Sequence, residues 1–259
     1  MSTLEKSSFL ALYRGMAASV PCLAARPDLF LSNETAEKLW LISERLSENA
    51  RRFNLTSILE PADIVKKHLV DSLMPLALLL DAGIPVGEGV GADDILDVGT
   101  GAGFPLLPWA CVLREDGVSL TGLDGTGKKI SHVRETAAYA GLPSVRAVHG
   151  RAEELGRSRM RESYSVVTAR AVAPLPVLLE LCAPFVCRAG IFAAMKARAD
   201  EELEASARVS EKLGLGAPEV IRYVLPGGDE RMLILYKKRS STPREYPRAY
   251  AEIAKQPLE

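Results

Sequence analysis

The chain has 259 residues, with 32 Lys and Arg against 33 Asp and Glu, a formal net charge of −1; 47% of its residues are hydrophobic and 25% are charged. This excludes a disordered chain, which has fewer apolar residues and more uncompensated charge, and it excludes collagen-like and low-complexity fibres. The length fits one domain of about 200–250 residues with a modest extension, and the balanced charge gives no sign of a uniformly basic nucleic-acid binder.

No run of about 18 apolar residues occurs, so no membrane-spanning helix is expected. Gly15–Ala25 is apolar behind Lys6 and Arg14, but Pro21 interrupts it, and it reads as an N-terminal helix and loop rather than a signal peptide. Next, Ser32 or Asn33 can cap a helix whose first turn holds Glu34 and Glu37 and whose apolar positions are Leu39, Ile42, Leu46 and Phe53. Pro61 and Asp63 open a second helix, through Ile64, Val65, Leu69, Leu73 and Leu76, with a bend at Pro75. The Gly-rich stretch from Gly83 to Gly91 is the best candidate for a boundary.

Beyond it, short apolar runs alternate with helical patterns. Strands are expected at Ile95–Val98, Ser119–Leu123, Val145–His149, Ser165–Thr168, Ile191–Met195, Val220–Leu225 and Met232–Tyr236. Helices are expected at Leu106–Leu113, Ile130–Ala140, Val177–Val186 and Asp200–Leu213. Such alternation means an α/β fold with a mostly parallel sheet. Pro226-Gly227-Gly228 is too short for a crossover, so the last two strands must be antiparallel. The segment from Lys237, with Pro243, Pro247 and Pro257, reads as an extended tail.

Asp97-Val98-Gly99-Thr100-Gly101-Ala102-Gly103-Phe104 stands where the first strand ends and a helix begins. Glycines at Gly99 and Gly101 permit a tight turn and close approach of a ligand to the backbone, and the helix start adds free N–H groups. Phe104 replaces the third glycine of a dinucleotide fingerprint, which argues against a nicotinamide dehydrogenase. Twenty-five residues after Gly99 the next strand ends in Asp124. A carboxylate there can accept hydrogen bonds from both hydroxyls of an unphosphorylated ribose, or it can cap the helix near Lys128. Together the loop and Asp124 suggest a nucleoside-containing cofactor. The four cysteines form no CxxC and the three histidines no HExxH, so neither a metal site nor a disulfide framework is expected, and the default compartment is the cytoplasm.

The set Asp97–Pro105, Leu123-Asp124, Gly127-Lys128-Lys129, His149-Gly150-Arg151-Ala152-Glu153, Arg170-Ala171 and Lys196 resembles the bacterial methyltransferases that modify a guanine N7 of 16S ribosomal RNA, also called the glucose-inhibited division protein B family. Asn54-Leu55-Thr56-Ser57 with Lys67-His68-Leu69-Val70-Asp71-Ser72 resembles that family's N-terminal signature, and Tyr246-Pro247-Arg248 with Lys255-Gln256-Pro257-Leu258 is similar to the tail of its longer members. The resemblance implies a seven-stranded, Rossmann-like class I S-adenosylmethionine methyltransferase fold with an N-terminal helical extension. It divides the chain into an extension at 1–90, a methyltransferase domain at 91–239 and a basic, Pro-containing tail at 240–259. It puts Gly99, Phe104, Ala152, Glu153 and Arg170 on positions that bind S-adenosylmethionine; Gly101 and Asp124 join them on the physical argument above. Without the resemblance, Glu153 and Glu154 read equally as a solvated helix start. Leu106, Ala169 and Ala197 depart from the family's usual residues.

N7 of guanine has a free lone pair, so its methylation needs no general base, and positioning and electrostatics should carry the catalysis. Arg170 and Lys196, at two strand ends, are the candidate catalytic cations; they would hold the cofactor carboxylate, guanine O6 or an RNA phosphate. Asn54, Thr56, His68 and Asp71 are candidate substrate contacts, with a structural role as the alternative. Cys182 and Cys187 read as packing on the Val177–Val186 helix. Arg45, Arg51, Arg52, Lys66 and Lys67, and the six basic residues after Tyr236 against three acidic ones, could form local RNA contacts on a neutral chain. The expected partner is 16S rRNA in the small subunit or an assembly intermediate, met by a monomer. The alternatives are a methyltransferase of a small molecule or protein and a non-catalytic RNA-binding relic of the fold.

Overall fold

The computed structural model describes residues 5–86, 93–113 and 118–259. The expected boundary at residues 90 and 91 lies outside the described residues.

The helices that precede the sheet are α1 (Lys6–Ala18), α2 (Pro21–Ala24), α3 (Pro27–Phe30), α4 (Asn33–Phe53), α5 (Pro61–Ile64) and α6 (Asp71–Asp81). In α4 the expected cap is Ser32, whose hydroxyl accepts the Thr35 N–H at 3.1 Å. Leu39, Ile42 and Leu46 are buried, as their three- and four-residue spacing requires for one stripe facing a core. The helix ends at Asn54, left-handed at φ 52°.

The helix expected from Pro61 to Leu76 is not continuous. Val65–Val70 is a π-helical turn between α5 and α6, in which the Asp71 N–H reaches back five residues to the Lys66 carbonyl. Pro75 lies inside α6, where it has no N–H for the carbonyl four residues back. The irregularity thus appears one turn before the proline, in the segment that carries His68.

The sheet has seven strands: β1 (Asp93–Val98), β2 (Leu120–Asp124), β3 (Val145–His149), β4 (Tyr164–Arg170), β5 (Val186–Lys196), β6 (Glu219–Val224) and β7 (Glu230–Lys237). Their order is β3-β2-β1-β4-β5-β7-β6, and only β7 opposes its neighbours. Between and after the strands lie α7 (Leu106–Val112), α8 (Gly127–Tyr139), α9 (Ala152–Leu155), α10 (Leu175–Cys182), α11 (Asp200–Lys212) and α12 (Tyr250–Lys255). Ile95, Leu96 and Val98 on β1 and Val166, Val167 and Ala169 on β4 are all buried, which is the unbroken apolar run of a strand covered on both faces.

One apolar core joins Phe9, Leu39, Leu69 and Leu73 of the N-terminal helices to Trp109, Ile95, Val166 and Leu233, so those helices cover one face of the sheet. The Trp109 indole donates to the Ser72 carbonyl at 2.7 Å across this contact. The other face is covered by α10, α11 and α12, with Leu178, Val209 and Ile253 fully buried.

Two expectations are corrected. Cys187 is on β5, not on a helix: α10 stops at Cys182, a short turn follows, and β5 begins at Val186. The segment after β7 is not an extended tail. It folds back on the domain and ends in α12, because Arg157, Arg161 and Glu180 tie its backbone down.

Candidate functional site

The sheet order reverses at β1 and β4, so the chain leaves their carboxyl ends in opposite directions and opens a crevice there. The register sets the crevice wall: Asp124 pairs with His149 at one end, and Arg170 pairs with Met195, next to Lys196, at the other. Among the described residues, two hollows at this edge gather most of the candidate site residues.

The first, of about 180 Å³, is lined by Gly99, Asp124, Ala152, Glu153, Val172 and Tyr250 among others. Gly99 has φ 72° and Gly101 φ 57°, the left-handed region that favours glycine. A Cβ on Gly99 would lie 2.5 Å from Val172 Cγ2, so the loop leaves no room for one. The Asp124 carboxylate accepts the Gly101 N–H at 3.0 Å on one oxygen and the Thr126 N–H at 2.8 Å on the other. Each oxygen keeps a second lone pair for a ligand hydroxyl. Asp124 therefore braces both the glycine loop and the entry to α8, whose N-cap is Thr126.

The second hollow, of about 490 Å³, is lined by His68, Asp71, Arg170, Lys196, Tyr223 and Arg231 among others. Asp71 accepts from Arg170 Nη1 at 3.1 Å and from Arg231 Nε at 3.0 Å, one carboxylate shared by two guanidinium groups. Lys196 Nζ is 3.0 Å from the Glu202 carboxylate and donates to the Ala173 carbonyl at 3.2 Å. Thr56 Oγ1 lies 3.0 Å from His68 Nε2. The His68 ring stacks on Phe104 with 4.8 Å between centroids, and the Arg170 guanidinium lies 5.7 Å from the Phe104 centroid. Phe104 thus fastens the glycine loop to the N-terminal helices from beneath, buried, while the loop backbone faces the first hollow.

Burial controls the titratable groups here. Desolvation, helped by the nearby Arg170 charge, pushes the His68 pKa down to about 4, which keeps the ring neutral at pH 7. Asp97, near the end of β1, is buried, with the Thr100 hydroxyl and the Leu106 N–H beside its carboxylate. Desolvation pushes its pKa up to about 6, against the opposing pull of the Thr100 hydroxyl and, after it, of the Arg170 charge.

Gly99, Asp124, Ala152 and Glu153 come together at the first hollow, with Gly101 bonded to Asp124. His68, Asp71, Arg170 and Lys196 come together at the second, with Thr56 behind His68. Asn54 lines neither; it ends α4. Sequence reasoning missed Val172, Tyr250 and Arg231. Tyr250 left one trace, as one of two tyrosines in a tail rich in charge and proline. Arg231 left none, since its partner Asp71 is 160 residues away.

A family model described as rRNA small subunit methyltransferase G matches residues 35–223. The protein named Ribosomal RNA small subunit methyltransferase G from Deinococcus radiodurans is 46% identical over 210 residues, 80% of this chain and 79% of that one. The protein of the same name from Acetivibrio thermocellus is 37% identical over 230 residues, 88% of this chain and 90% of that one. Among solved structures, the O-methyltransferase from Bacillus cereus in complex with SAH superposes with a TM-score of 0.53 at 14% identity, covering 87% of this chain and 100% of that chain. A protein from Corynebacterium glutamicum gives 0.52 at 20% identity, with 84% and 97% covered. The fold is the seven-stranded, Rossmann-like class I methyltransferase fold with helices added before the first strand. By the family model and by these relatives, the chain belongs to the rRNA small subunit methyltransferase G family.

Proposed function

We propose that this chain transfers a methyl group from S-adenosylmethionine to N7 of a specific guanine in 16S ribosomal RNA, acting as a cytoplasmic monomer on the small subunit or an assembly intermediate. The observation that carries this reading is the pair of adjoining hollows, one lined by the glycine loop and the Asp124 carboxylate and one lined with cations, with the Arg170–Val172 segment between them. Among the described residues no helix is long and apolar enough to cross a membrane.

The residues of the first hollow fit the cofactor. Gly99 offers backbone where a side chain would intrude, Asp124 has lone pairs for the two ribose hydroxyls, and Ala152 and Glu153 offer N–H groups and a carboxylate to an adenine edge. When bound, S-adenosylmethionine supplies an electrophilic sulfonium methyl group. Gly101 acts through Asp124, holding the carboxylate with its N–H. Phe104 acts by fixing the loop against His68.

The second hollow takes the guanine and its phosphate. Guanine N7 attacks through a free lone pair, so the protein's task is to orient the base. A base methylated at N7 is a cation, and a positive group against N7 would oppose its formation. His68 meets this requirement, since its lowered pKa leaves it uncharged. The charges of Arg170 and Arg231 are drawn toward Asp71, and Lys196 toward Glu202. This leaves their remaining N–H groups for guanine O6 or a phosphate. Asn54, by ending α4, sets the direction of the loop that carries Thr56.

The test is to incubate the protein with labelled S-adenosylmethionine and unmethylated small subunits, or their naked RNA, and to map the modified nucleotide. Label at one guanine N7 is expected, and Arg170→Ala should lower the rate at least tenfold, about 1.4 kcal/mol. Label elsewhere, or none on RNA, overturns the reading.

A further inference from the structure

The segment after β7 is tied down along most of its length beside the first hollow. Its first residue beyond the strand, Lys238, is buried and donates to the Ala183 carbonyl at 2.7 Å and to the Thr242 hydroxyl. Arg161 donates to the carbonyls of Thr242, Pro243 and Tyr246, and Arg157 to those of Glu245 and Pro247. Both arginines belong to the stretch that continues from α9, the helix that opens with Ala152 and Glu153. Arg248 then meets Glu180 through three bonds, from Nε and its own N–H at 2.9 Å each and from Nη2 at 2.7 Å. Glu180 is fully buried and adjoins Leu181, which lines the first hollow. Two residues past this tether, Tyr250 reaches the same hollow.

Tyr250 is 40% exposed, so part of its surface is open to a ligand in the hollow. Arg151 lies 5.1 Å from the ring centroid and pairs through Nε with Glu153 Oε1 at 3.1 Å. One side of the hollow therefore has an aromatic ring, a guanidinium plane and a carboxylate in sequence, beyond the carboxylate of Asp124. An aromatic face next to a hydrogen-bonding edge is what a planar heterocyclic base selects.

We propose that Tyr250 is a cofactor-binding residue: the folded-back tail forms the adenine-side wall of the cofactor cleft, with the Tyr250 ring against the base and the Arg248–Glu180 pair as its tether. The proposal rests on the reading of the first hollow as an S-adenosylmethionine site. It assigns the tail to the cofactor rather than to RNA.

Calorimetric titration of the full-length chain with S-adenosylhomocysteine, and separately with adenosine, tests it. Tyr250→Ala should weaken both ligands about tenfold, or about 1.4 kcal/mol. Tyr250→Phe, which keeps the ring, should stay within twofold of the unsubstituted chain for both. Thermal melting of both variants should match the unsubstituted chain, since the ring is exposed. If Tyr250→Ala binds both ligands within twofold of the unsubstituted chain, the wall assignment is overturned while the cofactor reading stands. If Tyr250→Phe is as weak as Tyr250→Ala, the ring is not the contact and the assignment is overturned as well. If the unsubstituted chain binds neither ligand, the cofactor reading itself falls, and the wall with it.

Discussion

Arg248→Ala should cost about twice the stability that Glu180→Gln does, although both break the same pair. Glu180 has no exposed side-chain surface, whereas Arg248 keeps 17% of its own. Removing the guanidinium deletes two charge-assisted bonds and leaves a buried carboxylate with only the Arg248 backbone N–H. Stranding one charge of a buried pair costs roughly 3–5 kcal/mol. The low end, about 3 kcal/mol, applies here, because water can follow the vacated arginine path inward and because tail release caps the penalty. In Glu180→Gln the arginine keeps the Gln256 carbonyl at 3.1 Å and Glu252 at 3.6 Å, and it faces solvent. Its loss should be about 1.5 kcal/mol, the low end for a hydrogen bond to a charged group, since the Gln amide oxygen can still accept from the guanidinium. For a chain of this size, about 2–4 °C accompanies each kcal/mol, so Arg248→Ala should melt roughly 6–12 °C lower and Glu180→Gln roughly 3–6 °C lower. Replacing both, as Arg248→Met with Glu180→Leu, should recover most of the loss, since an apolar pair of similar volume escapes the desolvation penalty. Calorimetric melts of the three variants decide it. A loss larger for Glu180→Gln than for Arg248→Ala, or a double variant worse than Arg248→Ala, would refute the reasoning.

Two further outcomes are expected. Gly99→Ala forces a Cβ to 2.5 Å from Val172 at a left-handed φ; it should cost about 1–3 kcal/mol of stability and weaken S-adenosylhomocysteine at least tenfold, and a variant that binds it normally by calorimetry would show that the loop does not face the cofactor. Stability should fall as pH drops from 6 to 5: His68 and His132, whose folded pKa values of about 4 lie below 6.5, stay neutral while the unfolded chain takes up their two protons, whereas Asp97, near 6 against 3.8, holds one proton in the folded state. The unfolded chain therefore binds about one proton more, giving a slope of about 1.4 kcal/mol per pH unit, which urea unfolding at the two pH values measures. His132→Gln should bring that slope near zero, and stability that instead rises toward pH 5 would contradict the sign.

Periodic local signals carried most of the fold. Each of the seven strands contains or overlaps its expected span, because a strand buried on both faces writes its own apolar run, as Ile95–Val98 does. The Pro226-Gly227-Gly228 turn fixed the direction of β7 for the same local reason. The glycine loop and Asp124 were legible as a unit because chain direction alone brings the ends of β1 and β2 together. What stayed hidden depends on partners far apart in the chain. Asp71 meets Arg170 across 99 residues and Arg231 across 160, and Arg248 meets Glu180 across 68. No window of sequence contains such a pair.

The tail shows what this does to an argument from charge. Its basic excess reads, by composition, as a surface for phosphates. Yet Lys238 is 2% exposed and Arg248 is spent on Glu180, a residue from the middle of the chain. Lys66 pairs with Asp229 and Lys67 with Asp63, which thins the other basic cluster in the same way. Paired side chains of this kind contribute little field at a distance, because two opposite charges in contact largely cancel, and salt screens what remains over a Debye length of about 8 Å. Counting cations by segment therefore overstates the attraction for RNA. The net charge of −1 is better read as the sum of many short internal pairs than as a basic tail set against an acidic body. Under the proposed function, the hold on RNA then depends on which cations keep free N–H groups, at the second hollow and elsewhere, and on the shape of the substrate that can reach them.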